Sequence, residues 1–282
     1  MRLRSLLFVP GDRPERMRKA RNCGADALVL DLEDAVAPPA KPEARRQVAE
    51  FLGETATGET LLFVRVNPLS GADIELDLAA IAGAGPDGIV LPKAEGKSSV
   101  ETLDGLMRKH GVAAPILPIA TETPSAIFQL GSYAAVAPLL AGLTWGAEDL
   151  PAAIGATSSR EADGRYTPPY ELARSLALFG AHAAGVSAIE TIFPAFRDLD
   201  ALALYVARAK RDGFVGMMAI HPLQVPVINA AFTTSPEELQ MAMAIVAAFE
   251  ANPGAGVLRL EGRMIDAPHL KLAQRLIAAY EK

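Results

Sequence analysis

The chain has 282 residues, half of them hydrophobic, a single cysteine, four histidines and a formal net charge of −6. One cysteine (Cys23) excludes a disulfide framework, and four scattered histidines (His110, His182, His221, His269) without close Cys/His pairing speak against a zinc site. The acidic balance argues against a nucleic-acid surface, and the first apolar run, Ser5–Pro10, is too short for a signal peptide or membrane span, so a soluble cytoplasmic protein is expected.

In chain order, Leu6–Val9 reads as a first strand stopped by Pro10-Gly11, and Asp12 with Glu15 resembles a capping box opening a helix through about Asn22. Ala27–Leu30 is the second strand, ending in the acidic burst Asp31-Leu32-Glu33-Asp34, followed by a charged helix over about 41–51. Leu61–Val64 delivers Arg65 and Asn67. A helix near 74–82 leads to Gly88–Leu91, which ends at Pro92-Lys93. Helix 98–110 feeds a fifth strand, 116–119, then Glu122 and a short helix after Thr123; a sixth strand, 139–143, is followed by Trp145, Glu148 and Asp149. Beyond a polar loop at 156–166 come helix 169–184, strand 187–189 with Glu190, helix 199–212, and strand 217–220 ending at His221. Ser235-Pro236-Glu237-Glu238 caps a further helix through Glu250, Asn252–Gly256 breaks it, and 269–280 forms the last helix.

Eight short apolar strands alternating with helices predict parallel strands with crossover helices. An open doubly wound sheet competes with a closed (β/α)8 barrel. The barrel is favoured because Asp31, Asp34, Arg65, Lys93, Glu122, Asp149, Glu190 and His221 all follow strand ends, the face where barrel enzymes keep their chemistry. The reading is a TIM barrel over 1–234 with a C-terminal helical extension, 235–282, used in oligomer contacts. Gly83–Gly88 satisfies G-x-G-x-x-G, but it follows a helix and precedes a strand, the reverse of a dinucleotide fingerprint; it is a turn.

The strongest local signal is Glu122 with Asp149, one carboxylate past the end of each of two neighbouring strands. Either alone could cap a following helix, since Pro124 and Pro151 come next. Together they suit Mg²⁺, which often takes one or two carboxylates and leaves its other positions to substrate and water. Glu148 is the rival to Asp149. Arg65 is either salt-bridged in the barrel mouth or clamps a carboxylate or developing enolate oxygen. Asp31, Glu33 and Asp34 cannot all be ligands; at least one orients a water or pairs with Arg65, and Asp34 is assigned to catalysis and Glu33 to substrate binding. Arg13 and Arg16, in a first helical turn, could hold a phosphate or form a solvated basic face. Lys93 neutralises the acidic rim, with a Schiff-base role the weaker reading because nearby acids keep its amine protonated.

Leu7–Gly11, Asp31–Val36, Val64–Asn67, Leu91–Lys93, Glu122–Pro124, Gly146–Leu150, Ala219–Pro222 and Gly262–Asp266 occur in an order that resembles the citrate lyase β-subunit-like group of the HpcH/HpaI aldolase superfamily, over nearly the full length. The resemblance implies a Mg²⁺-dependent (β/α)8 barrel, trimeric or hexameric, that makes or breaks a C–C bond in acyl-thioester chemistry. It implies Glu122 and Asp149 as metal ligands, Arg65 as the group binding the acid and stabilising the thioester enolate, and Asp266 as an acid/base group supplied to a neighbouring subunit. Two departures bear on the grip on substrate and coenzyme A: Met217 stands where the family often has Lys, removing a positive contact near the mouth, and Glu190 stands where it often has Asp; Arg263 for Lys keeps the charge.

The expected activity is retro-Claisen cleavage of a citryl-, malyl- or citramalyl-CoA type thioester to an acyl-CoA and a 2-oxo acid. The enzymatic alternatives are a malyl-CoA thioesterase and a β subunit acting on a carrier-bound thioester in a citrate lyase complex. A non-catalytic binding protein is the last alternative, and absence of a Mg²⁺-dependent thermal shift would favour it.

Overall fold

A computed structural model of the chain describes residues 1–54 and 59–280. The first four repeats run β1 (Ser5–Pro10), α1 (Pro14–Ala20), β2 (Ala27–Asp31), α2 (Lys41–Gly53), β3 (Leu61–Arg65), α3 (Asp73–Ile81), β4 (Gly88–Leu91) and α4 (Lys97–His110). The next four run β5 (Ile116–Pro118), α5 (Pro124–Ile127), β6 (Leu143–Thr144), α6 (Leu150–Ile154), α7 (Pro168–Ala184), β7 (Ala188–Glu190), α8 (Leu199–Asp212), β8 (Gly216–Ala219) and α9 (Gln224–Phe232).

The strands pair in parallel in the order β5-β4-β3-β2-β1-β8-β7-β6. Two isolated parallel bridges, Ile116 to Leu140 and Ile119 to Thr144, bring β5 beside β6, so the eight strands form a nearly closed TIM-type barrel. The amides of Ala141 and Ala120 donate across this seam to the carbonyls of Ile116 (2.8 Å) and Thr144 (2.9 Å).

Strand pleat divides the apolar residues into two cores. Leu6, Ala27, Val29, Phe63, Val90, Leu117, Ile189 and Met218 fill the barrel interior. Their alternating neighbours, such as Leu7, Leu28, Leu30, Val64, Ala188, Met217 and Ala219, join the larger core between strands and helices. With successive side chains on opposite faces, each inward position fixes the direction of the residue two further on. Val29 therefore aims Asp31 at the barrel axis, and Phe63 aims Arg65 there.

Three local expectations change. Residues 130–139 form 3₁₀ turns with Pro138 inside, which shortens the expected sixth strand to Leu143–Thr144. No capping box forms at Asp12: α1 begins at Pro14, so Arg13 occupies the cap position and makes no side-chain cap. The segment before the last helix is an antiparallel hairpin, β9 (Val257–Leu260) and β10 (Arg263–Asp266), turning through Glu261 (φ 48°) and Gly262 (φ 79°). Gly83 and Gly85 both take positive φ between α3 and β4, as a turn requires.

The chain divides into two compact units, Met1–Phe232 and Thr233–Lys282. In the second, α10 (Pro236–Glu250) starts with a complete Ser235/Glu238 capping box and packs on α11 (Ala267–Tyr280), with the hairpin between them in sequence. No helix among the described residues is long and apolar enough to cross a membrane.

Candidate active site

At the carboxyl ends of the strands lies a cavity of about 350 Å³ whose wall includes Phe8, Asp31, Arg65, Glu122, Thr144 and Asp149. Its rim has two halves with different electrostatics.

On the β2–β4 side Asp31, Glu33, Arg65 and Lys93 all meet an opposite charge. Arg65 grips Asp31 with two parallel bonds, Nε to Oδ1 at 2.8 Å and Nη2 to Oδ2 at 2.6 Å, and its Nη1 lies 2.8 Å from Glu33 Oε2. The guanidinium also stands 4.8 Å over the Phe8 ring. Burial opposes its charge, but Asp31 and Glu33 outweigh burial and hold its pKa above the usual arginine range. Lys93 Nζ reaches Glu33 Oε1 at 2.7 Å and Asp149 Oδ1 at 3.4 Å. Burial works against the Lys93 ammonium too, and again the acids prevail and raise its pKa, so the amine is a fixed cation. Glu33 is the exception: burial raises its pKa despite Arg65 and Lys93.

A buried polar network sets this half in place. The backbone amide and the side-chain amide of Asn67 each donate to Asp77 Oδ2 at 2.7 Å, and the side-chain amide also donates to the carbonyl of Leu32 at 2.9 Å. Arg45 Nε in turn binds Asp77 Oδ1 at 2.7 Å. The loop carrying Glu33 and the loop following Arg65 are thus tied to one buried carboxylate.

On the β5–β6 side the carboxylates are less fully paired: Asp149 meets the Lys93 ammonium only at 3.4 Å, and Glu122 rests on a backbone amide. Glu122 is 5 % exposed, and its Oε2 accepts the backbone amide of Lys93 at 2.5 Å. That amide points inward because Lys93 takes a left-handed backbone, φ 50°, which non-glycine residues adopt only at some cost in strain. Burial, with Asp149 and Glu33 nearby, pushes the Glu122 carboxyl up to about 8. Asp149 contributes to this field, and Glu148 stands exposed on the same wall.

One buried and one half-buried carboxylate, opening together on a cavity with room for water and ligand, fit a hard divalent cation. Among the described residues no group of three or more His, Cys, Asp or Glu side chains forms a ready metal cage. Glu122 and Asp149 would therefore hold Mg²⁺ with the remaining positions left to water and substrate.

The loops bearing this pair are clasped together: Thr121 Oγ1 donates to the carbonyl of Gly146 at 2.9 Å and accepts its amide at 3.0 Å. At Gly146 a Cβ would lie 2.8 Å from Glu122 Cγ, so only glycine permits this approach.

Other expected residues are distributed differently. Asp34 is exposed on the cavity wall. Arg13 and Arg16 are exposed around the start of α1 and do not line the cavity; Arg13 lies 3.6 Å from Asp12. Asp266 ends β10 in the second unit, its Oδ1 2.5 Å from His269 Nδ1, an interaction that holds its carboxyl below the usual range.

Glu190 leaves the rim. On β7 it follows the outward parity of Ala188, is fully buried, and accepts Arg174 Nε at 2.7 Å and Trp145 Nε1 at 2.5 Å. Met217, its register partner on β8, also faces the helices, so neither departure from the family pattern alters the mouth. His221 stacks on Phe196 at 4.6 Å and does not line the cavity.

Among the cavity residues that carried no separate expectation in the sequence are Gly146 and Thr144. Thr144 is the one polar residue of the two-residue β6, and a hydroxyl at the end of an otherwise apolar run was the available signal.

A family model described as HpcH/HpaI aldolase/citrate lyase matches residues 4–222, and one described as C-C bond lyase of the TIM-barrel fold matches residues 177–280. A citrate lyase subunit beta-like protein of Mycobacterium tuberculosis is 37% identical over 272 residues, covering 96% of this chain and 93% of the relative. A (3S)-malyl-CoA thioesterase of Cereibacter sphaeroides is 32% identical over 285 residues, covering 99% and 94%. The crystal structure of protein CitE from Mycobacterium tuberculosis in complex with magnesium, acetoacetate and coenzyme A is similar with a TM-score of 0.83 and 33% identity, covering 99% of this chain and 98% of that one.

Proposed function

The chain belongs to the HpcH/HpaI aldolase/citrate lyase family, and we propose that its rim cleaves a hydroxyacyl-CoA thioester to an acyl-CoA and a 2-oxo acid by retro-Claisen chemistry. The enzyme is a Mg²⁺-dependent carbon–carbon lyase. The observation that carries the reading is the division of the rim into an under-neutralised carboxylate pair, Glu122 with Asp149, facing a fixed guanidinium, Arg65.

The cation, when bound by Glu122 and Asp149, supplies Lewis-acid polarisation at the reacting centre. Asp34, exposed on the cavity wall, takes the proton of the substrate hydroxyl. The bond between the carbinol carbon and the thioester α-carbon then breaks, the hydroxyl oxygen becomes the oxo oxygen, and the electron pair passes to the thioester as an enolate. Arg65 stabilises that enolate oxygen; Asp31 and Glu33 fix the guanidinium so that little reorganisation is needed as charge develops. Lys93 positions Glu33 through its ammonium and Glu122 through its amide. Asp266 of a neighbouring subunit, beside its own His269, is the acid/base group at the α-carbon, where the enolate is protonated.

Arg13 and Arg16 are assigned to the coenzyme A phosphates on their charge and exposure. Exposed apolar side chains on each unit, Phe128 and Phe179 on the first and Met264 and Leu272 on the second, support a homo-oligomer, a trimer or hexamer. The net charge of −6 argues against a nucleic-acid partner.

The thioesterase-named relative supports a second reading, in which a positioned water attacks the thioester. Purified protein with Mg²⁺ and malyl-, citramalyl- and citryl-CoA separates the two. A 2-oxo acid with acyl-CoA establishes the lyase; free CoA thiol with an intact hydroxy acid establishes the thioesterase. Silence on all three free esters, with turnover only on a carrier-bound thioester, would make the chain a complex subunit.

A further inference from the structure

Asn67 is 3 % exposed and does not line the cavity, yet it stands two residues beyond Arg65. Its side-chain amide has one satisfied orientation. Both oxygens of Asp77 face donors, Arg45 Nε on Oδ1 at 2.7 Å and the two amides of Asn67 on Oδ2, so Asp77 can only accept. Lys41, which can only donate, bonds the Asn67 side-chain oxygen. With its oxygen toward Lys41 and its nitrogen toward Asp77, Asn67 has a hydrogen left for the carbonyl of Leu32, at 2.9 Å.

That carbonyl connects the network to the site. It shares one trans peptide with the Glu33 amide, so the two groups point in opposite directions. The carbonyl accepts from Asn67, while the Glu33 amide donates to Asp31 Oδ1 at 2.9 Å. Asp31 Oδ1 is the oxygen that also receives Arg65 Nε, at 2.8 Å. Asp31 Oδ2 likewise takes one loop amide, from Ala35 at 3.2 Å, and one guanidinium hydrogen, from Arg65 Nη2 at 2.6 Å. On the other side of Leu32, its own amide donates to the carbonyl of Arg65 at 2.9 Å. The Asp31 carboxylate is therefore braced from behind, and a guanidinium bonded to it bidentately must share its plane.

We infer that Asn67, oriented by Asp77 and Lys41, is a positioning residue for the reaction: through the Leu32–Glu33 peptide and Asp31 it sets the plane of the Arg65 guanidinium. Lys41, Asn67 and Asp77 do not line the cavity, so their effect on the rate passes through Arg65 alone. Donors already aimed where charge develops stabilise it without reorganisation, which is what this bracing supplies. The inference rests on the lyase reading for what Arg65 stabilises, but its first readout needs no turnover.

The experiment follows solvent exchange of the Arg65 and Arg174 Nε–H resonances by NMR in the full chain carrying isotope-labelled arginine. Each resonance is assigned by its loss in Arg65→Lys or Arg174→Lys. Arg174 Nε, bonded to Glu190 at 2.7 Å, is the internal reference. In Asn67→Ala, exchange at Arg65 speeds up by about tenfold, the loss of one hydrogen bond, while exchange at Arg174 stays as in the wild type. On whichever thioester the wild type cleaves, kcat falls by about tenfold, and KM and the Mg²⁺ dissociation constant move by less than about threefold. In an Arg65→Lys background the same change costs less than about threefold, because the group it positions is gone. Asp77→Asn, close in volume and still able to accept from Arg45, lets the Asn67 amide turn over and gives the same pattern should Asn67→Ala not fold. Equal acceleration at both arginines, or at neither, overturns the inference and leaves Asn67 to the fold alone. A loosened Arg65 with undiminished kcat, or a full tenfold loss persisting in the Arg65→Lys background, also overturns it. Selective acceleration at Arg65 with no thioester cleaved upholds the positioning of Arg65 and overturns the lyase reading instead.

Discussion

Two arginine–carboxylate pairs sit at the ends of barrel strands β2 and β7 and do opposite work. Arg65 with Asp31 opens on the cavity; Arg174 with Glu190 is sealed behind β7, at 3 % and 0 % exposure, with a second bond from Arg174 Nη1 to Asp212 at 2.7 Å. Their chemistry is alike, and both acids close a strand. What separates them is parity. Asp31 continues the inward series Ala27, Val29, while Glu190 continues the outward position of Ala188. Proximity to a strand end is therefore not enough to place a charge in a barrel site; the pleat must also turn it inward.

Replacement of each arginine is the sharpest way to break this comparison. Arg65→Lys should lower turnover by about a thousandfold, because an ammonium cannot hold Asp31 bidentately and still face a developing oxyanion. Its thermal stability should change far less than its rate. Wild-type turnover in this variant would take Arg65 out of the mechanism. Arg174→Ala should do the reverse, costing about 3–5 kcal/mol of stability by leaving the buried Glu190 unpaired, with turnover per folded molecule retained. Denaturant unfolding beside active-site-normalised kinetics distinguishes the two; a rate defect in folded Arg174→Ala would place the rear pair in the catalytic machinery after all.

The other half of the rim provides a smaller, cleaner contrast. Asp149→Ala should abolish stabilisation by Mg²⁺, which at a hundred times the dissociation constant amounts to about 2.7 kcal/mol, while leaving the metal-free melting temperature nearly unchanged. An undiminished Mg²⁺ shift would move the ligand to Glu148. Asp266→Asn should leave that shift intact and cost activity. Mixed oligomers with an Arg65→Ala variant should recover part of it if sites are shared, and absence of rescue in verified hybrids would assign Asp266 no role across subunits.

The strands and the rim chemistry were legible in the sequence because short apolar runs punctuated by Gly and Pro leave few choices. Glu122, Asp149, Arg65, Asp34 and Glu33 do meet around one cavity or its border. The sixth strand was overextended because an apolar run such as 139–143 reads equally as strand or turn when burial is all it encodes. Asp12 was misread as a cap because Pro14, at the first helical turn, shifts the cap by one residue. Glu190 was placed on the rim for want of a register, since one residue of slip reverses every side chain of a strand. The Asn67–Asp77 network depends on contacts between separate segments and has no local signature.

Gly146 tests whether the division between site and fold holds where the two meet. It belongs to the fold through its reciprocal bonds with Thr121, and to the site because it touches Glu122. In Gly146→Ala the added Cβ would meet Glu122 Cγ at 2.8 Å, and both Glu122 Oε1 and Ile119 Cγ2 at 3.2 Å. Glu122 cannot swing away freely, being 5 % exposed and anchored on the Lys93 amide. The loop carrying Asp149 must then yield, and overpacking of this kind costs about 1–3 kcal/mol. If the clasp with Thr121 spaces the two carboxylates, the same change weakens Mg²⁺ binding by more than the loss of global stability accounts for, read as a dissociation constant measured well below the melting temperature. A lowered melting temperature with unchanged Mg²⁺ affinity would instead show that the backbone absorbs the methyl group without moving Asp149, and Gly146 would belong with Arg174 on the side of the fold.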